Sequence, residues 1–220
     1  MHVTTFHACF TKISVIPVPI RRPTNTGTHA PSRRHDRLLS SRQNGTSSTS
    51  FTEVCRKTHD PQMCSRVLAA SSAPPSGLLN AQISAVASFA LRLTHSSYRL
   101  ARHIVTIPLP QSAPLKYQGA LDDCMELMND TVHELKLCIS RLSGLGNMSG
   151  PSYITQSQLM DAQVALSASC TYQDTCSDEL NDKGMPSAPA AQLRKQVINT
   201  SNAVAVALDL ANTLRQRKAS

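Results

Sequence analysis

The chain has 220 residues, of which 40% are hydrophobic and only 4% aromatic, with no Trp, enough for one domain of ordinary size with a segment to spare. No run approaches the ~20 consecutive apolar residues of a membrane span, and eight glycines beside abundant Ala, Leu and Ser favour helices over a β-sandwich. The formal charge of +8 suggests a polyanionic partner until it is divided: residues 1–50 hold seven Lys/Arg against one acid, Asp36, whereas residues 51–220 hold fifteen against thirteen. Nucleic-acid binding needs its positive charge on the folded part, so no nucleic acid is expected as a partner.

Residues 1–50 carry 15 Ser/Thr and four Pro, and their apolar stretch around Ile13 is interrupted by Pro17 and Pro19. Such a segment buries too little apolar surface to offset the entropy of ordering it. It is expected to be a disordered basic extension or a processed segment. No uninterrupted h-region of a secretory signal is evident in it, and its Arg-rich, acid-poor composition also suits an organelle transit peptide.

From Leu79 the apolar residues Leu79, Ile83, Val86, Ala90, Leu93, Leu100 and Ile104 recur at 4-3 spacing, with Ser97 as one polar entry. This is the seam of a bundle helix, and Pro108, Pro110 and Pro114 should stop it. A second seam runs Leu121, Met125, Met128, Val132, Leu135, Ile139 and Leu142, ending at Gly144 and Gly146. A third helix is expected after Pro151, through Ile154, Leu159, Ala162 and Leu166 toward Cys176. After a break at Gly184, Pro186 and Pro189, a fourth carries Leu193, Val197, Val204, Ala207, Ala211 and Leu214. Four helices of roughly 22–28 residues with short Pro/Gly breaks predict an all-α, up-down-up-down four-helix bundle.

Seven cysteines leave at least one outside any intrachain pairing. Cys55 and Cys64, with eight residues between them around a His59-Asp60-Pro61 turn, suit a disulfide closing a small hairpin. If the second and third bundle helices are antiparallel neighbours, Cys124 near the start of one meets Cys176 at the end of the other. Cys138 then lies about 21 Å along its helix and Cys170 only about 9 Å back along its own. That offset is too large for a disulfide, whose Cα atoms are about 5.5 Å apart, so both read as buried small hydrophobes. No ligand spacing for zinc is present, and no metal or cofactor is expected. The sequons at Asn44, Asn129, Asn147 and Asn199 are compatible with secretion, with the last three as glycosylation candidates.

These residues carry a resemblance. The segment from Cys55 through Thr58 and Pro61 to Cys64 resembles the N-terminal hairpin of the plant invertase inhibitor and pectin methylesterase inhibitor family. So do Ala120 to Glu126 around Cys124, Ala168 to Cys176, and Ser201-Asn202-Ala203 in the last helix. The match runs in order over residues 51–216, which are expected to form the inhibitor domain. It implies a four-helix bundle with an N-terminal helical hairpin, two disulfides, secretion to the apoplast or cell wall, and inhibition of a cell-wall enzyme. The stretch Gly150-Pro151-Ser152-Tyr153 lacks the lysine of the invertase inhibitors' motif. The Thr-Tyr-Gln-Asp-Thr-Cys run ending at Cys176 is nearer the pectin methylesterase inhibitors.

The expected function is therefore non-covalent, 1:1 inhibition of pectin methylesterase by a monomer that regulates pectin de-esterification. The alternative is inhibition of acid invertase. Carried over from the family's contact face, the partner-binding residues are Glu126, Asp130, Thr175 and Asp178; His133 stands where an acid is common. With Asp122 and Asp123, these acids lie mostly off the apolar seam. No Gly-x-Ser-x-Gly elbow and no phosphate-cradling loop occurs, and no catalytic residue is expected: the protein reads as a non-enzyme.

Overall fold

The computed structural model describes residues 51–71, 78–107, 115–145, 152–182 and 188–219. The extension 1–50, with Cys9 and Asn44, lies outside them, as do Pro108, Pro110, Asn147 and Gly184. Six helices follow in chain order: α1 (Phe51–Cys55), α2 (Pro61–Ala70), α3 (Leu79–Thr106), α4 (Leu115–Gly144), α5 (Ser152–Asp182) and α6 (Ala188–Ala219). There is no strand among the described residues. Helices α3 to α6 form an all-α bundle in which α3 and α5 each pack on both α4 and α6. The short α1 and α2 lie as a hairpin on α3 and α6.

Local chemistry fixes the hairpin. Asp60 caps α2, its carboxylate accepting from the Met63 backbone N–H at 2.8 Å, and Pro61 opens the helix where its missing N–H costs nothing. The Thr58 hydroxyl donates to the Cys55 carbonyl at 2.8 Å, and Cys55 is bonded to Cys64 with the Cα atoms 5.6 Å apart. The turn is then tied to the bundle. The His59 backbone N–H donates to the Asp209 carboxylate at 2.8 Å, and His59 Nδ1 lies 3.2 Å from the same oxygen. Met63, Cys64, Val67 and Leu68 of α2 are buried beneath.

The four long helices span 28, 30, 31 and 32 residues, the last three longer than the expected 22–28. Pro189 is the reason at α6: it sits in the first turn, which tolerates proline, rather than before it. The buried stripes are also rotated from the predicted ones. On α4, Met125, Val132 and Ile139 are only half-buried, whereas Cys124, Thr131 and Cys138, one position earlier, are fully enclosed. On α3, Leu93 and Leu100 yield in the same way to Thr94 and Ala101. Each helix touches two neighbours, so its stripe is wider than a coiled-coil seam and centred between the two contacts. From Ala203 to Ala211, α6 is buried on every side, because the hairpin covers the flank that α3 and α5 leave open.

The interior has two apolar clusters. The larger includes Leu68, Ile83, Leu135, Leu142, Leu159, Leu166 and Leu210. The smaller, at the opposite end, gathers Ile104, Tyr117, Leu121, Met128, Leu180, Leu193 and Val197. Between them lies a layer of buried polar side chains from all four helices: Thr94 and Ser97, Thr131, Ser169 and Gln173, and Thr200 and Ser201. Gln173 donates to the Thr131 hydroxyl at 2.8 Å, which itself donates to the Leu127 carbonyl. Thr94 and Ser97 donate to carbonyls one turn back in α3. Cys138 is a free, fully buried thiol, as a small hydrophobe would be, and desolvation pushes its pKa up to about 12. Cys170 is equally buried but disulfide-bonded, which corrects its reading as a plain hydrophobe. The height argument weighed it only against Cys138.

Candidate partner-binding face

The outer side of α4 and α5 is built around one covalent link. Cys124 and Cys176 are joined, with their Cα atoms 4.8 Å apart across 52 residues of chain. Two further ties fix the antiparallel register. One is the Gln173–Thr131 hydrogen bond in the interior, and the other the Arg141–Asp161 ion pair at 3.5 Å on the surface. Both partners of that pair are about half exposed, so it contributes to register more than to stability.

This register puts the four family-derived positions at similar heights along the two helices. Glu126 and Asp130 are exposed and one turn apart on α4, two and six residues beyond Cys124. Thr175 and Asp178 are exposed on α5 and bracket Cys176. At 100° per residue, Glu126 and Asp130 project from the flank of α4 that also carries Arg141, the residue reaching α5. Asp122, Asp123 and His133 are exposed on the same helix. Asn129, a glycosylation candidate, is exposed next to Asp130, while Asn199 is exposed on the distant α6.

Asp174 is a neighbour of different character. It is half-buried and turned toward α6, its Oδ1 accepting from the Ser201 hydroxyl at 2.6 Å. Burial raises its pKa above 3.8, the Ser201 hydrogen bond pulls it back, and repulsion from Asp178 adds to the rise. Asp174 and Asp178, with Glu179 and Asp182 beyond them, make this end of α5 acidic.

Two residues escaped the sequence reading. Met160 is 45% and Val164 68% exposed, one turn apart on α5. They continue toward Thr171, Thr175 and Asp178 along a single outward strip, since positions 160, 164, 171, 175 and 178 recur at helical spacing. The signal was available: with Leu159, Ala162 and Leu166 inward, apolar residues at 160 and 164 have no core to enter. Among the described residues, no group of three or more His, Cys, Asp or Glu side chains is placed to hold a metal. No helix there is long and apolar enough to cross a membrane.

Residues 49–210 match the sequence profile described as plant invertase/pectin methylesterase inhibitor. The chain belongs to this family. The family is described as one of inhibitors, and the match spans the helical region described above from α1 into α6. Among relatives, the chain is 28% identical over 124 residues to pectinesterase inhibitor 3 of Arabidopsis thaliana, covering 56% of this chain and 59% of that protein. It is 26% identical over 192 residues to the putative pectinesterase/pectinesterase inhibitor 43 of the same plant, covering 85% of this chain and 26% of that one. The inhibitor chain thus spans under two thirds of the length of either relative. In fold it is similar to the crystal structure of mutant form A of a pectin methylesterase inhibitor from Arabidopsis. That similarity has a TM-score of 0.56 at 16% identity and covers 74% of this chain and 95% of the other.

Proposed function

We propose that this inhibitor-family chain targets pectin methylesterase, laying the outer face of α4 and α5 over the enzyme's cleft, non-covalently and 1:1, in the plant cell wall. The observation that carries this reading is the grouping of Glu126 and Asp130 with Thr175 and Asp178 on exposed surface around the Cys124–Cys176 bond. Acids give orientation and association rate, while the apolar Met160 and Val164 on the same strip of α5 offer area to desolvate. Blocking a cleft requires complementarity alone. The names of both relatives concern pectinesterase, which favours this target over invertase.

Titration against a pectin methylesterase and an acid invertase tests the target directly. The full chain should inhibit the first stoichiometrically and leave the second active. Glu126→Lys combined with Asp130→Lys should raise the inhibition constant at least tenfold, or about 1.4 kcal/mol, with the thermal midpoint unchanged. Inhibition of invertase alone would transfer the face to the other target. An unchanged constant in the double variant would remove α4 from the interface.

A further inference from the structure

The near-neutral bundle hides a strong separation of charge. Helices α4 and α5, which pack on each other, contain ten acids and three bases, with every base on α4. Helices α3 and α6, also neighbours, contain eight Arg/Lys and one acid, Asp209, which is buried. In its 28 residues α3 has no Asp or Glu at all. The two sides of the square are therefore of opposite sign, and net charge conceals this.

The basic side has a shape as well as a sign. Arg92, Arg99 and Arg102 are exposed, with His95 and His103 between and beside them. At 100° per residue all five fall within one arc opposite the buried stripe of α3. The three arginines span eleven residues, about 15 Å of helix. None of them forms an ion pair with a carboxylate among the described residues. Arg92 stacks on Phe89, its guanidinium carbon 5.7 Å from the ring centre. Phe89 in turn lines a shallow groove of about 320 Å³ between α2, α3 and α6, together with Arg66 of the hairpin, Leu93 and Asn199. At the other end of the row, Ala101 and Ile104 share a cluster with Leu193 and Val197, so α6's exposed Arg194 and Lys195 lie at the same end of the bundle as Arg102.

We propose that the outward face of α3, from the Arg66–Phe89 groove through Arg92 and Arg99 to Arg102, binds a linear polycarboxylate: a de-esterified uronate polysaccharide. Guanidinium groups pair carboxylates through paired N–H donors. A row of them along a convex helix matches a chain whose carboxylates repeat along its length. A second copy of this chain would have to offer its acidic α4/α5 face, and such head-to-tail pairing leaves that face open for a third copy. The choice of polymer rests on the function proposed above, since de-esterification of pectin creates carboxylates. The inhibitor would then sit on the product of its target, with its acidic face turned outward.

The test uses the full chain and two polymers: polygalacturonate and fully methyl-esterified pectin. The chain should be retained by the first at low salt, released as salt screens the charges, and not retained by the second. Arg92→Gln, Arg99→Gln and Arg102→Gln together should weaken polygalacturonate binding at least tenfold. The melting curve and the inhibition constant should stay unchanged, whereas Glu126→Gln with Asp130→Asn should leave polymer binding intact. Because residues 1–50 are present in every variant, the ratio isolates the α3 face. A loss under tenfold, or equal retention by the esterified polymer, overturns the proposal. So does self-association in sedimentation that the triple variant abolishes, which would assign the face to a second copy. Arginine-dependent polymer binding by a chain that inhibits no pectin methylesterase would leave this surface standing and refute the function proposed above.

Discussion

The two ends of the bundle are held together by different means. At one end the large apolar cluster is roofed by the α1–α2 hairpin, which adds Met63, Cys64, Val67 and Leu68 to the interior and anchors its turn on Asp209. At the other, beyond the polar layer of Thr94, Thr131, Gln173 and Ser201, the cluster is smaller and, among the described residues, no further helix packs over it. There the Cys124–Cys176 bond joins α4 to α5. The Cys55–Cys64 bond at the roofed end closes a local loop within the hairpin, whereas this one ties two bundle helices together across 52 residues of chain. The candidate partner face is built around this second end, so its rigidity comes from the crosslink.

The largest expected effect breaks that link. On the chain-entropy account, closing a loop of this length stabilises by about 4 kcal/mol, against about 2.7 kcal/mol for the short Cys55–Cys64 loop. Replacing Cys124 and Cys176 with Ala should therefore lower stability in denaturant more than the corresponding change in the hairpin, and weaken inhibition as well. If the hairpin bond proves the costlier to remove, the roofed end is the one that depends on its crosslink, and the contrast is reversed.

A middle-sized effect tests the roof. Asp209 is 8% and the His59 side chain 21% exposed, and the carboxylate takes both the backbone and the ring of His59. Asp209→Ala should cost about 1.5–3 kcal/mol, the range for hydrogen bonds to a charged group. Hydrogen exchange should show α1 and α2 opening more than α4 and α5. Uniform loss of protection along the chain would show that the hairpin is not a separable lid on the larger cluster.

The smallest effect lies at the edge of the polar layer. In the folded state the Asp174 pKa is raised above its ordinary 3.8 by burial first, with Asp178 adding to the rise. The folded chain thus binds the proton more tightly than the unfolded chain, and the associated stability is present below pH 3.8. It is lost as pH rises through the folded value. Asp174→Asn keeps a carbonyl oxygen for the Ser201 hydroxyl and removes the charge. It should flatten the pH dependence of the thermal midpoint just above pH 3.8 and raise the midpoint slightly at pH 7. An unaltered pH profile would show that Asp174 is as well solvated in the fold as outside it.

Much of this architecture is legible in the residues. The 4-3 recurrence of apolar positions marks α3 and α4, and Pro and Gly mark their ends. Given antiparallel neighbours, helix height brings Cys124 to Cys176 and separates Cys138 from Cys170. The carbonyl and carboxylate partners are not legible. Nothing near Asp209 in sequence indicates that it receives a turn 150 residues away. The outward Met160 and Val164 are visible only once Leu159 and Leu166 are known to face in. Charge segregation stayed hidden because summing residues 51–220 cancels two helix pairs of opposite sign.

The sequence by itself determined which segments are helical, because backbone propensity, proline and apolar period act within one helix turn. It also determined the cysteine pairing of α4 with α5, because rise per residue is fixed. Only the tertiary structure decided which flank of each helix is buried. A helical period locates a stripe around its own axis, but the centre of burial depends on how many neighbours touch that axis and from which side. That is why Cys124, Thr131 and Cys138 displaced Met125, Val132 and Ile139, and why α6 is enclosed all round where the hairpin crosses it.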